Sequence, residues 1–352
     1  MTNFLGYDSQ TFPLPEGMPA DARLARVIEE HRERYFLACP EGIYEAGVTG
    51  KIMFGSGGSE DFPAVGDWVA FTPLDDRQGV IHEVLPRKTL LRRRSSGKKG
   101  GEQMLGANID IAFIVMAGDE DFSLNRLERY LTIIHEGGIV PVVILNKTDL
   151  FTEEELEAFV AGIRHRHPRI TLVRTSALTE DGLDFVHSSL LPGKTYCFIG
   201  SSGVGKSSLI NRLVGGERQR ISDLSDATGK GRHTTTYREL IELENGSLLI
   251  DTPGMREVGI SVSDFGLEET FSDIIELAGH CRFSDCTHTG EPGCAVIAAA
   301  EAGGLSPDKL DNYLRLKRES DLFRMEDHDR RRKEKNFTKI VREYKHLKPK
   351  KS

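Results

Sequence analysis

Cysteine is scarce in this sequence, and long hydrophobic runs are absent. Five cysteines in 352 residues are too few for the disulfide framework of a small secreted protein. The longest apolar stretches, such as 109–117 with Asp110 inside it, fall well short of the roughly 20 residues of a membrane helix. No Gly-X-Y period is present, which excludes a collagen-like chain. The hydrophobic content of 38% exceeds that of a disordered chain.

These absences leave a globular protein of more than one domain. A length of 352 residues allows two or three domains, each large enough to bury its own core. No secretory signal stands at the N-terminus, so we expect a cytoplasmic protein with reduced cysteines and no membrane association.

The net charge of −8 conceals an uneven distribution. Eleven Lys or Arg and only two Glu lie between Arg330 and Ser352, so a basic tail follows an acidic body. Phe337 and Tyr344 lie among these cations, where aromatic rings favour stacking on RNA bases. A solvated, partly helical end is the alternative. We interpret the tail as an RNA contact, because the whole-chain charge does not describe the surface that a partner meets.

Short β-rich runs predict a small barrel between about residues 33 and 94. They are separated by turn residues at the spacing of an all-β domain, and five strands in about 60 residues fit an OB-like barrel. An SH3-like barrel would leave a similar pattern. Arg92–Arg94 and Lys98–Lys99 are interpreted as a linker or as an RNA-contacting loop. The predicted strands include 43–48, 51–54, 68–72 and 79–84.

From residue 109 the pattern changes to apolar β-branched runs that alternate with amphipathic segments. This alternation is typical of a doubly wound parallel sheet with helices on both faces. The predicted strands are 109–117, 140–145, 171–174, 195–199 and 248–250, and the predicted helices are 124–136, 153–165 and 206–214.

A phosphate-binding loop is predicted between the strand 195–199 and the helix 206–214. The segment Gly-Ser-Ser-Gly-Val-Gly-Lys-Ser matches G-x-x-x-x-G-K-[ST], in which backbone N–H groups face phosphate oxygens. Lys206 is expected to bridge the β- and γ-phosphates, and Ser207 to ligate Mg²⁺. A structural glycine-rich turn is the alternative, but it does not require the Lys-Ser pair. The predicted contacts are Gly200, Ser201, Ser202, Gly203, Val204, Gly205, Lys206, Ser207 and Ser208.

Two further motifs predict that the base is guanine. Asn146, Lys147 and Asp149 form N-K-x-D after a strand, and a carboxylate there can accept hydrogen bonds from guanine N1–H and the exocyclic amine. Ser176 and Ala177 follow another strand, and the Ala177 N–H is expected to face guanine O6. Either motif alone could be a helix N-cap. Their occurrence together with the phosphate loop favours the nucleotide interpretation.

The triphosphate end of the site is predicted from a D-x-x-G motif and a threonine-rich segment. Asp251 is expected to hold Mg²⁺ through water, and the Gly254 N–H to reach the γ-phosphate. Three threonines lie in the segment 229–236, and we choose Thr235 as the Mg²⁺ ligand among them. His233 is the nearest candidate to position water or handle a proton; a solvated switch-loop histidine is the alternative.

A structural zinc site is predicted from three cysteines and a histidine within 14 residues. Cys281, Cys286, His288 and Cys294 form C-x₄-C-x-H-x₅-C, a set of donors that suits tetrahedral Zn²⁺ and leaves no open position for chemistry. The alternative is that these are ordinary small core residues, which would require three of the five cysteines to cluster by chance.

The motifs follow one another in an unusual order. N-K-x-D comes first, then Ser176-Ala177, the phosphate loop, the threonine segment and D-x-x-G, whereas ordinary GTPases begin with the phosphate loop. The chain therefore carries a circular permutation, which a pocket assembled at one sheet edge can survive. It resembles, over nearly its whole length, the bacterial family of ribosome small subunit-dependent GTPase A (RsgA, also called YjeQ).

The resemblance implies a multidomain protein with an OB-like β-barrel, a circularly permuted α/β P-loop GTPase domain and an α-helical zinc-binding domain. The expected boundaries are an N-terminal extension over 1–32, the barrel over 33–100, the GTPase domain over 101–262 and the zinc domain with its basic tail over 263–352. The implied ligands are GTP or GDP, Mg²⁺ and one structural Zn²⁺.

The implied function is GTP hydrolysis by a late-stage assembly factor of the 30S ribosomal subunit, which stimulates it. The expected partners are that subunit and its 16S rRNA, without DNA or membrane, and the expected state is a monomer. Met255 stands where Ras-like proteins have the Gln that orients water, so unaided hydrolysis should be slow. One alternative is an RNA-binding module with incidental hydrolysis. The other is a P-loop ATPase or small-molecule kinase, and Asp149 argues against this second alternative because it favours guanine.

Overall fold

The described part of the chain forms two compact units, Met1–Gly259 and Ile260–Ser352. The structure is a computed structural model. It describes residues 4–8, 10–31, 34–55, 59–94, 102–119, 122–214, 238–251 and 264–325.

The first unit begins with a closed five-stranded barrel. Its strands follow the order β1-β2-β3-β5-β4, and β4 pairs back with β1 to close the sheet. The pairs are antiparallel except for β3 with β5, which are parallel. This topology is that of an OB fold and confirms the predicted OB-like barrel. The elements are β1 (Arg23–His31), β2 (Arg34–Cys39), β3 (Gly42–Val48), α1 (Gly50–Gly55), β4 (Trp68–Pro73) and β5 (Gln78–Val84).

Two expectations for the barrel were wrong. The predicted strand 51–54 is α1 instead: Ile52 packs against the barrel core, whereas Phe54 is 85% exposed. The barrel also begins at Arg23, inside the stretch predicted as an N-terminal extension. That first strand has an unusual pattern, because Arg26 is buried among apolar residues and donates to the Gly66 carbonyl and the Thr195 hydroxyl. A charge at a core position conceals the alternation that predicts a strand.

A two-stranded hairpin connects the barrel to the second part of this unit. Its strands, β6 (Leu90–Arg94) and β7 (Glu102–Ala107), pair in antiparallel fashion. The linker interpretation of this stretch was therefore wrong, because Arg92 lies in a strand and contacts Glu102 at 3.1 Å. The loop with Lys98 and Lys99 lies outside the described residues, so the RNA-contacting alternative stays a prediction.

The second part of this unit is the predicted parallel sheet. The order is β10-β9-β8-β11-β13-β12, with β12 antiparallel to its neighbour and the other five strands parallel. The hydrophobic pattern of the sequence did not predict β12. The strands are β8 (Ile111–Ala117), β9 (Val140–Asn146), β10 (Thr171–Arg174), β11 (Thr195–Ile199), β12 (Arg238–Glu242) and β13 (Leu248–Asp251), and the helices are α2 (Leu124–Glu136), α3 (Glu153–Arg166), α4 (Leu183–Ser189) and α5 (Lys206–Val214).

Local sequence explains where the two longest helices of this sheet begin. The Ser123 hydroxyl accepts a hydrogen bond from the Arg126 N–H at the start of α2. Thr152 and Glu155 form a reciprocal capping box at the start of α3, which satisfies two backbone donors of the first turn. The carboxyl ends of the strands then open on one edge of the sheet, where such folds bind their ligands.

The barrel and the parallel sheet share one continuous hydrogen-bonded sheet. β1 pairs with β12 in antiparallel fashion, with Glu29 opposite Glu239 and Glu30 opposite Arg238. An ion pair between Arg238 and Glu30 at 3.2 Å crosses this junction.

Asp67, the residue before β4, carries a completely buried carboxylate. Its two oxygens accept from Arg87 at 2.8 and 2.7 Å, and one of them accepts from the Ala64 N–H at 2.7 Å. Burial raises the pKa of Asp67, and the Arg87 guanidinium opposes that rise. The carboxylate is therefore tolerated only because these donors surround it.

Replacing Asp67 with Ala should lower the free energy of unfolding by about 3–5 kcal/mol, because Arg87 would keep a half-buried charge without its partner. Urea unfolding followed by circular dichroism measures the change. Glu45→Ala is the matched control, since it removes a carboxylate from an exposed pair with Arg34 and should cost under about 1 kcal/mol. Equal effects of the two variants would contradict the prediction.

The second unit is helical in its described residues. Phe271 is completely buried and packs against Tyr313, with ring centroids 5.3 Å apart and planes tilted by 58°. The Lys309 ammonium contacts Asp273 at 2.8 Å. No helix in the described residues is long and apolar enough to cross a membrane. The basic tail from Arg330 lies outside the described ranges. The helices are α6 (Asp264–Thr270), α7 (Ser272–Ala278), α8 (Ala295–Glu301) and α9 (residues 307–325).

Candidate functional site

The predicted phosphate loop connects β11 to α5 as a turn that requires glycine at two positions. Gly200 and Gly205 have φ of 145° and 95°. A Cβ atom at Gly200 would lie 2.2 Å from the Val115 carbonyl oxygen, and one at Gly205 would lie 2.2 Å from the Asn146 amide nitrogen. Gly203 also has a positive φ, of 85°, with open space where its Cβ would stand. Glycine at 200 and 205 therefore lets the loop pack directly against Val115 and Asn146, while Gly203 leaves the backbone uncovered.

Lys206 lies over this loop at the first residue of α5. Its ammonium donates to the Gly200 carbonyl at 2.7 Å and to the Ser201 carbonyl. Two bonds to the loop fix the position of a group that otherwise moves on a flexible stem. Ser207 and Ser208 follow in the first turn and are exposed, so a ligand can reach both hydroxyls. Val204 is buried and anchors the loop.

Asn146 of the N-K-x-D motif forms hydrogen bonds to both the phosphate loop and the segment that precedes Ser176 and Ala177. Its amide nitrogen donates to the Val204 carbonyl at 2.8 Å, and its amide oxygen accepts from the Thr175 hydroxyl at 3.0 Å. The side chain is 1% exposed. Three segments that are far apart in sequence thus meet at one edge of the parallel sheet, as expected from the occurrence of all three motifs in one chain.

Asp149 and Ser176 form the polar end of this edge. The Ser176 hydroxyl donates to the Asp149 carboxylate and accepts from the N–H groups of Leu178 and Thr179, both at 3.1 Å. The hydroxyl therefore holds the carboxylate and orders the turn that carries the Ala177 N–H. Lys147 adopts a left-handed conformation, with φ of 62°.

Three further residues contact this site, and sequence pattern did not indicate them. Arg126 donates to the Ser201 hydroxyl at 2.8 Å, and Arg212 donates to the Ala177 carbonyl at 3.1 Å. Asp119 contacts the Lys147 ammonium at 3.1 Å. The two arginines lie on helices far in sequence from the loops that they contact, and no spacing rule predicts such contacts.

The triphosphate end is described only in part. Asp251 ends β13 at the same edge as the phosphate loop, since β11 and β13 are parallel neighbours with Cys197 opposite Ile250. A hydroxyl at Ser207 and a carboxylate at Asp251 are the oxygen donors that Mg²⁺ prefers. The predicted contacts Thr235, His233 and Gly254 lie outside the described residues, and their roles stay predictions.

The predicted metal centre is preassembled in the second unit. The donor atoms of Cys281, Cys286, His288 and Cys294 all lie within 4.8 Å of one another. The sulfurs of Cys281 and Cys294 are 3.8 Å apart, and the His288 Nδ1 lies 3.7 and 3.5 Å from them. Tetrahedral zinc with Zn–S of about 2.3 Å and Zn–N of about 2.05 Å places sulfurs about 3.8 Å apart and nitrogen about 3.6 Å from sulfur. The donors of Cys281, His288 and Cys294 therefore already stand at the spacing of a tetrahedral zinc site, and Cys286 lies close enough to supply the fourth ligand.

The surrounding chain supports this centre. Burial lowers the pKa of His288, with a smaller contribution from Lys317, which favours the neutral imidazole that a metal requires. The Glu291 carboxylate accepts from the N–H groups of Thr287 and Thr289 at 2.7 and 2.9 Å and closes the loop that returns to Cys294. Four protein donors complete a tetrahedron, so the centre is structural.

Comparisons with known proteins show the family to which the chain belongs. The RsgA GTPase family matches residues 84–261. The chain is 39% identical to "Small ribosomal subunit biogenesis GTPase RsgA 1" of Bacteroides thetaiotaomicron, over 92% of this chain and 91% of that protein. Its structure is similar to that of YjeQ from Thermotoga maritima, with a TM-score of 0.62 and 28% identity over 85% of this chain and 98% of that one.

A second solved structure, YloQ, described as a circularly permuted GTPase, gives a TM-score of 0.61 and 25% identity over 88% of this chain and 98% of that one. The nucleotide ligands are accordingly GTP and GDP with Mg²⁺. The order of the strands, the joined motifs and these similarities show that the chain belongs to the RsgA family of circularly permuted GTPases.

Proposed function

We propose that this chain is a GTP hydrolase that acts as a late-stage checkpoint in assembly of the 30S ribosomal subunit. The observation that supports the nucleotide part is the hydrogen bond from the Asn146 amide to the Val204 carbonyl of the phosphate loop, at 2.8 Å, which joins the proposed base-binding and phosphate-binding motifs. The ribosomal part is supported by the name of the curated relative, a small ribosomal subunit biogenesis GTPase.

In this proposal the described residues divide the work along the sheet edge. Asp149 accepts from guanine, while the Ser176 hydroxyl holds its carboxylate in place. The phosphate-loop N–H groups and Lys206 bind and orient the phosphates, and Ser207 and Asp251 hold Mg²⁺. When bound, the metal neutralises the negative charge that develops on the phosphate oxygens during phosphoryl transfer. Because these residues are held in place before GTP binds, less free energy is needed to organise the site for the transition state.

The accessory domains supply the partner contacts in this proposal. The barrel and the basic tail beyond Arg330 contact 16S rRNA, and the factor binds the subunit as a monomer in its GTP state and leaves as GDP. Met255 cannot orient water as a Gln does, so the 30S particle has to complete the site. Hydrolysis is thereby timed by contact with the particle.

Purified 30S subunits should raise the GTP hydrolysis rate about tenfold or more at a fixed protein concentration, because ordering of the switch by a partner accelerates slow GTPases. Phosphate release measures the rate, and 50S subunits serve as the control. Ser207→Ala should remove the stimulated rate. Sedimentation with 30S subunits should show more protein bound with a non-hydrolysable GTP analogue than with GDP.

An unchanged rate would overturn the checkpoint. If sedimentation with the subunit were also the same with either nucleotide, the chain would be an RNA-binding module in which hydrolysis is incidental. Tighter binding of ADP than of GDP would overturn the guanine site itself.

A further inference from the structure

Arg126 of α2 contacts the phosphate loop through a hydrogen bond to Ser201. It lies in the first turn of α2, where its N–H is held by the Ser123 hydroxyl, and its guanidinium donates to the Ser201 hydroxyl at 2.8 Å. The Ser201 carbonyl accepts from Lys206. One loop residue is thus held through its side chain by Arg126 and through its backbone by the lysine that meets phosphate.

The other end of α2 is attached to the hairpin beside the barrel. The Glu136 carboxylate, 7% exposed, contacts Arg92 of β6 at 3.0 Å. The Gly137 carbonyl accepts from the Leu90 N–H at 3.1 Å. A Cβ atom at Gly137 would lie 2.6 Å from the Leu90 carbonyl oxygen, so the two backbones are in close contact. This attachment combines a partly buried ion pair with a direct backbone hydrogen bond.

The helix between these attachments is short and well packed. Arg126 and Glu136 are ten positions apart in one helix, which corresponds to about 15 Å along its axis. Leu127, Leu131 and Ile134 are buried on its inner face. A displacement of β6 along this axis therefore moves the Arg126 end of the helix, because a packed helix shifts as a rigid body.

We propose that Arg126 is a positioning residue of the nucleotide site and that α2 makes the geometry of the phosphate loop depend on the β6–β7 hairpin. Arg126 fixes Ser201 and, through the Ser201 carbonyl, the ammonium of Lys206. The ion pair between Arg92 of the hairpin and Glu136 of α2 keeps Ser201 and the Lys206 ammonium in the positions that bind phosphate. The inference concerns nucleotide binding and is independent of any ribosomal partner.

Binding of a fluorescent GDP analogue to the full-length protein tests the first half of the proposal. Arg126→Gln and Ser201→Ala should each weaken binding about tenfold, the value of one hydrogen bond to a charged group. The double variant should be no weaker than either single variant, because both remove the same bond. Arg126→Lys should restore part of the affinity. Additive losses, or affinities within twofold of the unmodified protein, would overturn the positioning role.

Arg92→Gln tests the second half, with Arg34→Gln as the matched control. Arg34 forms an exposed ion pair with Glu45 in the barrel, and within the described part of the chain its hydrogen bond is also to Glu45. Arg92→Gln should weaken GDP binding about threefold. In a protein that already carries Arg126→Gln, the Arg92→Gln substitution should cause no further loss of GDP affinity. Arg34→Gln should leave the GDP affinity unchanged. Thermal unfolding of every variant separates a loss of folding from a loss of affinity. Unchanged affinity in a folded Arg92→Gln protein would overturn the dependence on the hairpin.

Discussion

Replacing Asp149 with Asn should convert a guanine-nucleotide site into one that prefers xanthosine nucleotides. Affinity for GDP should fall about a hundredfold or more, because the guanine N1–H and amine would face an amide in place of the carboxylate that pairs with both. Xanthine carries a carbonyl where guanine carries the amine, and the Asn amide can donate to it. The substitution should thereby invert the preference rather than only reduce affinity.

The local structure should survive this change. An Asn oxygen can still accept from the Ser176 hydroxyl, which holds the turn that carries Ala177. Competition of GDP and XDP for a fluorescent GDP analogue measures both affinities. Asp184→Asn is the control, because Asp184 is exposed on α4 and should leave both unchanged. Unaltered GDP selectivity in Asp149→Asn would remove this carboxylate from the base site.

Replacing Cys286 with Ser should release the metal and destabilise the helical second unit. A hydroxyl is a far weaker zinc ligand than a thiolate, and structural zinc supplies about 10–16 kcal/mol of apparent binding free energy at neutral pH. Elemental analysis should give about one zinc per chain in the original protein and well under one in the variant. Loss of helical signal on heating should move to a lower temperature.

The neighbouring His280 offers a matched control for this experiment. It is exposed and stands outside the cluster of donors, so His280→Ala should keep its zinc and its unfolding temperature. If Cys286→Ser also retained a full complement of zinc, the assignment of the four donors would be wrong.

The sequence predicts the parts of this protein whose pattern is local. The strand and helix ranges of the parallel sheet are repeated closely in the structure, since buried parallel strands are continuous apolar runs. The cysteine and histidine spacing predicts the metal centre because its donors lie within one loop. Asn146 and Asp149 are found because a nucleotide site demands those side chains at fixed spacing.

Contacts between distant elements could not be predicted in the same way. Arg26 breaks the pattern of β1 because its charge is satisfied by carbonyl and hydroxyl groups from other segments. Arg92 looks like a linker residue until its partner Glu136 is known, and nothing near Arg126 in sequence indicates Ser201. In each case a long side chain is placed by tertiary structure rather than by propensity.

The pairing of β1 with β12 has a consequence for how this chain can be divided. If the barrel were removed, Arg238 and Glu239 of β12 would lose their pairing with β1, and the sheet would present unpaired backbone groups at an open edge. Such an edge is a template for association with other chains. The barrel therefore protects the nucleotide-binding sheet from aggregation as a cap, in addition to any contact that it makes with a partner.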